Sequence, residues 1–214
     1  PLRRRLGLRR REANARALEL LHRVGIPDVE HRMHHYPHQF SGGQRQRIMI
    51  AMALSLGPDL LIADEPTTAL DVTVQAQIMN LLRDLQQERD MAILLITHDL
   101  GVVADVASRA VVLYAGRVAE QGRIRDVYDH SAHPYTEGLL ASIPQQDQGG
   151  ERLTPIAGAP PNPLAFPQGC RFHPRCPYAQ ERCRDELPEL RHPAGWAPDQ
   201  EASCHFSEEV LSHG

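Results

Sequence analysis

The chain contains no lysine: all 23 of its basic residues are arginine, set against 27 acidic ones. That absence removes one kind of phosphate site, because the G-x-x-x-x-G-K-[ST] loop needs lysine to reach the β- and γ-phosphates. No such loop is possible within these 214 residues. An excess of positive charge is missing too, and a formal net charge of −4 leaves no overall nucleic-acid footprint. No apolar run approaches the length of a membrane span, and no apolar signal core opens the chain. The expectation is a cytosolic chain that reaches a membrane only through partners. Its length supports one good core and a small appendage.

What the sequence has is a group of motifs in its first half. Leu60-Leu61-Ile62-Ala63-Asp64-Glu65-Pro66 is an apolar run ending in two adjacent carboxylates, the pattern of a buried parallel strand delivering acids at its C-terminal end. Ligands of open α/β sheets bind at that edge. In a nucleotide-hydrolysing sheet Asp64 would hold Mg²⁺, and Glu65 would face the attacking water as general base or orienter. An isolated Asp-Glu-Pro also serves as a plain strand-to-turn cap.

Upstream, Ser41 is a good N-cap, and Gly42-Gly43 leave backbone N–H groups bare at the mouth of a helix running to about Gly57. Ile48, Met52 and Leu56 recur at one-turn spacing and predict its core face. Downstream, Asp71 can cap a helix striped by Val74, Ile78, Leu81, Leu82 and Leu85. A second strand, Ala92 to Thr97, emerges at His98. Arg109 to Tyr114 and Arg117 to Glu120 flank Ala115-Gly116, a hairpin signal. Helical stretches follow near Arg123 to His130 and Pro134 to Ser142, so strand and helix alternate as in a mostly parallel α/β sheet.

Phe40-Ser41-Gly42-Gly43-Gln44-Arg45 resembles the signature motif of ABC ATPases, Leu60 to Glu65 their Walker B strand, Ala69-Leu70-Asp71 their D-loop and His98 their switch histidine. The branch resembled is the ATP-binding subunits of dipeptide and oligopeptide importers, through Tyr36-Pro37-His38-Gln39, Ile96 to Leu100 and His133-Pro134-Tyr135-Thr136. The resemblance implies part of a P-loop NTPase (ABC ATPase) domain over residues 1–143 and a loop-rich, cysteine-containing extension over 144–214. With no P-loop, and opening on Pro1, the chain reads as the C-terminal part of a longer subunit and is expected to be inactive alone.

By the same resemblance, two ATPase domains, identical or paralogous, close head to tail on two ATP molecules. Ser41, Gly42, Gly43 and Gln44 would bind the γ-phosphate of the partner's ATP, Asp64, Glu65 and His98 would serve the chain's own site, and Asp71 would couple the two. Two membrane permease subunits and, indirectly, a periplasmic binding protein complete the system on the cytoplasmic face of the bacterial inner membrane. Nickel or glutathione are alternative cargoes. A nucleic-acid repair ATPase would lack His133-Pro134-Tyr135 and the cysteines, and a pure metal-binding interaction module would have no nucleotide affinity.

Two clusters need separate readings. Six arginines within the first 11 residues are a solvated connection or a touch point for anionic surfaces. His31, His34, His35 and His38 invite a metal, but only Glu30 accompanies them.

All four cysteines, Cys170, Cys176, Cys183 and Cys204, lie in a proline-rich tail with little apolar surface of its own. Disulfides do not suit a reducing cytosol. Structural zinc favours tighter pairs than these. A [4Fe–4S] cluster accepts four thiolates from irregular loops. The tail also resembles the cysteine-bearing extension of the peptide-importer ATPases, some of which hold such a cluster. Cluster, Zn²⁺ and free thiols stand as alternatives, with His205 a substitute ligand.

Overall fold

The computed structural model describes residues 1–68, 70–143 and 155–210. Ala69 and the boundary expected near Pro144, with Gln145–Gly150, lie outside the described residues. Strands and helices gather into two units, Pro1–His98 and Asp99–Gly214.

The first unit runs α1 (Leu2–Leu6), α2 (Arg10–Arg23), α3 (Val29–Arg32), α4 (Gly42–Leu54), β1 (Leu60–Asp64), α5 (Val72–Arg89) and β2 (Ala92–Ile96). β1 and β2 pair in parallel from Leu60↔Ala92 to Asp64↔Ile96, joined by the crossover helix α5. Buried Leu20 of α2 and Val24 just after it, Ile50 and Leu54 of α4, and Ile78, Leu82 and Leu85 of α5 form the core. The helical starts follow the sequence signals. Ser41 and Gln44 close a capping box on α4, and Asp71 accepts the Val74 N–H at 2.9 Å on α5.

Two expectations are corrected here. Ile50, Ala51 and Leu54 face the core of α4, whereas Met52 and Leu56 are exposed. After Arg47 the helix is apolar nearly all round, so spacing alone did not select a face; Ile48, Met49 and Met52 instead line an apolar groove of about 280 Å³ with Phe40 and Val29. β1 is parallel as expected but not buried. Only Leu61 is buried, and Leu60, Ile62, Leu94 and Ile96 are exposed, with no further strand pairing to this two-stranded sheet among the described residues.

The second unit runs α6 (Leu100–Val106), β3 (Arg109–Tyr114), β4 (Arg117–Arg123), α7 (Ile124–Asp129), α8 (Pro134–Leu140), α9 (Glu181–Asp185), β5 (Glu201–Ala202) and α10 (Ser207–Val210). Its sheet is antiparallel, in the order β3-β4-β5. Ala115 and Gly116, at φ 49° and 77°, turn the β3–β4 hairpin as a primed turn requires. The tail completes this unit. Ser203 donates its N–H to Ala119 O at 2.8 Å, and Phe172 packs with Tyr114 and Ala119.

Buried polar groups fasten the tail to β4. Glu120 is fully buried and accepts from the Ala132 N–H at 2.7 Å, the His133 N–H at 3.1 Å and Gln200 Nε2 at 2.8 Å. Its burial pushes the carboxyl above its ordinary range.

Candidate functional site

The strand register builds the first cluster. Asp64 stands opposite Ile96, so the residues following each strand leave the sheet side by side, and the Glu65 N–H bonds Ile96 O at 2.8 Å. Glu65 and His98 thereby meet at the C-terminal edge, His98 Nδ1 lying 2.9 Å from Glu65 Oε1. An ionised carboxylate only accepts, so Nδ1 carries the proton in this contact.

The other oxygen, Oε2, accepts from Thr68 Oγ1 at 2.5 Å. The His98 contact, and after it the Thr68 hydroxyl, hold the Glu65 carboxyl below its usual range. Glu65 itself has φ 48°, a left-handed conformation that costs a non-glycine residue about 1 kcal/mol or more and gathers at functional sites. Asp64 is exposed at the strand end and takes no side-chain partner among the described residues. An exposed, unclaimed carboxylate beside a second acid is suited to a hydrated divalent cation.

The signature residues sit at the start of α4. Ser41 Oγ accepts the Gln44 N–H at 3.3 Å, and Gln44 Oε1 accepts the Ser41 N–H at 3.1 Å, which leaves the N–H groups of Gly42 and Gly43 in the open first turn. These glycines also have a packing reason to be small. A Cβ on Gly43 would stand 2.6 Å from Val74 Cγ1, and one on Gly42 would stand 3.3 Å from Leu70 Cδ2. Asp71 caps α5, and Gln75 Nε2 holds the preceding loop by donating to Leu70 O at 3.1 Å and Thr67 O at 3.4 Å.

In the second unit all four cysteines wall one cavity of about 20 Å³, together with His133, Phe172 and His205. Backbone amides aim at the sulfurs: Phe172 and His173 at Cys170, Tyr178 at Cys176, and Phe206 at Cys204 at 3.5 Å. Burial still dominates, raising the thiols of Cys170 and Cys204 and pushing Cys176 up to about 12. Four enclosed thiols, three of them supplied with N–H donors, fit a thiophilic, positively charged group that would stabilise the thiolates. Among the described residues, however, no three His, Cys, Asp or Glu side chains stand as ligands of one metal ion. That holds equally for His31, His34, His35 and His38. His31 instead contacts Asp28 at 2.8 Å.

Of the histidines around the cysteines, His133 is spoken for. It is buried, its Nδ1 accepts the Tyr135 N–H at 3.0 Å, and burial lowers it to about 4, so it is neutral. His205 Nε2 contacts Glu186 O at 3.0 Å.

Residues 2–68 match the ABC transporter family model, and residues 119–183 match that of the oligopeptide/dipeptide transporter C-terminal region. The chain is 58% identical over 177 residues to a putative peptide import ATP-binding protein of Brucella melitensis, covering 83% of this chain and 53% of that protein. It is 52% identical over 190 residues to the dipeptide transport ATP-binding protein of Haemophilus influenzae, covering 89% and 56%. To the oligopeptide transport ATP-binding protein of Salmonella typhimurium it is 53% identical over 182 residues, covering 85% and 54%. Over both stretches the chain is similar to the ATP-binding proteins of ABC transporters.

Among solved structures, cbiO1 from Clostridium perfringens, part of an ABC transporter complex, matches with a TM-score of 0.51 at 36% identity, over 57% of this chain and 47% of that one. The chain spans little more than half the length of the curated relatives it matches. The α/β cassette fold expected from the sequence is the fold of its structural relative.

Sequence reasoning missed three contributors to these sites. Thr68 carried a usable signal: Pro66 after Glu65 favours a turn that returns the third following residue to the glutamate, and the Thr68 N–H does bond Glu65 O at 3.2 Å. Gln75 and Glu120 gave none, since their partners depend on how loops fold back.

Proposed function

We propose that this chain is the signature, Walker B and switch-histidine portion of an ATP-hydrolysing subunit that powers peptide import, working as part of a larger cassette. The single observation that carries the reading is the Glu65–His98 contact of 2.9 Å at the C-terminal edge of the β1–β2 pair. The exposed apolar face of Leu60, Ile62, Leu94 and Ile96 supports a cassette in which further strands cover that side. The match of residues 119–183, with the peptide-import names of the relatives, supports peptides as cargo.

In this reading Glu65 orients the attacking water and accepts its proton, while the water oxygen bonds the γ-phosphorus and the bond to the leaving phosphate oxygen breaks. His98 donates toward the charge on the transferred group. Asp64 would hold Mg²⁺, which spreads phosphate charge when bound. Ser41, Gly42, Gly43 and Gln44 face the γ-phosphate of a second ATPase subunit's ATP, and Asp71 links the two sites. Two permease subunits carry the peptide, with the ATPase peripheral at the cytoplasmic face of the inner membrane; no helix among the described residues is long and apolar enough to cross one. Residues 144–214 form the peptide-importer extension, whose Cys170, Cys176, Cys183 and Cys204 would hold a [4Fe–4S] cluster.

The test is ATP turnover. The purified 214-residue chain, which has no lysine and no P-loop, is expected to show none, whereas the complete cassette turns over ATP and loses that activity on Glu65→Gln. Metal-dependent turnover by the chain alone, or an active Glu65→Gln cassette, overturns the reading.

A further inference from the structure

The Glu65 carboxylate has a second partner that no part of the reading above uses. Its Oε1 is met by His98 and its Oε2 by the Thr68 hydroxyl at 2.5 Å. The two contacts are unequal as supports. The His98 side chain is 78% exposed and reaches Glu65 from another strand end. Thr68 is tied to Glu65 by the chain itself, through the Pro66 turn and the Thr68 N–H bond to Glu65 O at 3.2 Å. A glutamate has three side-chain torsions to restrict, and one hydrogen bond leaves its carboxylate free to swivel about that bond. A second bond to the other oxygen fixes the plane.

We infer that Thr68 is a positioning residue, whose hydroxyl holds the Glu65 carboxylate in one plane on a turn built by Glu65-Pro66-Thr67-Thr68. The inference rests on Glu65 acting on the attacking water as proposed above. Each carboxylate oxygen keeps lone pairs beyond the one given to its partner, so the held group can still accept a proton from water. The left-handed backbone at Glu65 fits the same purpose: the strained residue is pinned at its N–H by Ile96 O, at Oε1 by His98 and at Oε2 by Thr68. A threonine that only stabilised the turn would serve equally well with its hydroxyl pointing to backbone. Here the hydroxyl goes to the reacting side chain.

The substitution to make is Thr68→Val, which keeps the β-branched shape and removes only the donor; Thr68 is exposed, so folding is little at risk. In MgATP turnover by the complete cassette, P-loop half included, Thr68→Val lowers kcat about tenfold with KM for ATP unchanged, as loss of orientation at the reacting centre does. Thr68→Ser keeps the hydroxyl and retains kcat. Added to Glu65→Gln, Thr68→Val causes no further loss, because its effect runs through the carboxylate.

Wild-type kcat in Thr68→Val, or an additional loss in the Glu65→Gln background, overturns the inference while leaving the role of Glu65 standing. Full activity of Glu65→Gln alone overturns both. In the 214-residue chain by itself, nuclear magnetic resonance is expected to show a slowly exchanging, downfield Thr68 hydroxyl proton that disappears on Glu65→Ala. An unprotected hydroxyl in the wild-type chain also overturns it.

Discussion

Gly43 lies so close to Val74 that a methyl group on the glycine would stand 2.6 Å from Val74 Cγ1. The start of α4 is thereby seated on the start of α5, and the glycine is needed for packing whether or not a phosphate approaches it.

This separates two reasons for a small residue at one position. Gly43→Ala is expected to destabilise the first unit by about 1–2 kcal/mol, the cost of overpacking less the gain in helix propensity. Shortening the opposing side chain in Gly43→Ala/Val74→Ala restores most of that loss, whereas Gly42→Ala, with 3.3 Å to the flexible end of Leu70, costs less. Denaturant unfolding of the four proteins measures it. If the double variant is as unstable as the single, the Val74 contact is not the cause.

His133 ties the stability of the second unit to pH. Burial holds it near 4 in the folded chain against 6.5 when unfolded, so protons prefer the unfolded state between those values. The stability at stake is complete above pH 6.5 and is lost as pH falls toward 4, amounting to about 2.5 kcal/mol at pH 4.5. His133→Asn keeps an acceptor for the Tyr135 N–H and cannot take the proton. Between pH 7 and 4.5 the variant should therefore lose about 2.5 kcal/mol less than the wild type. Equal losses would mean that His133 is protonated without unfolding.

Gln200 is the tail's anchor on the hairpin, donating through Nε2 to Glu120 Oε1 and to His130 O, each at 2.8 Å. Gln200→Ala removes a buried donor shared by two acceptors and leaves a gap, for a cost of about 2 kcal/mol. The expected signature is local: limited proteolysis cuts the tail while fragments of the first unit persist. Uniform loss of both units would show that the anchor acts on more than the tail.

These results mark which features the sequence could reveal. The caps at Ser41 and Asp71, the hairpin turn at Ala115-Gly116 and the β1-α5-β2 order are local or periodic, and each was legible. Glu65 and His98 are 33 positions apart, yet parallel strands of equal length ending in polar residues bring such residues together almost by necessity. The face of α4 was hidden because a helix apolar all round has no stripe to read. The exposure of β1 was hidden because burial depends on what covers a strand, not on its composition. The Glu120–Gln200 bond, spanning 80 positions, has no sequence signal at all, since a buried glutamate in a strand looks like any other acid until its donors are found.

The cysteine cavity carries the last prediction. Its four thiols surround about 20 Å³, room for one water-sized group, and no three stand as ligands of a single ion. The donor chemistry favours an iron–sulfur cluster over zinc, because amide N–H groups point at Cys170, Cys176 and Cys204, and such bonds tune cluster sulfurs. Protein purified without oxygen is therefore expected to contain iron and acid-labile sulfide at about four each, with broad visible absorption that Cys176→Ala abolishes. One zinc and no sulfide would instead make the tail a structural clip. A metal-free protein would leave Cys170, Cys176 and Cys204 raised by burial, with Cys176 pushed up to about 12 and correspondingly unreactive toward alkylating reagents.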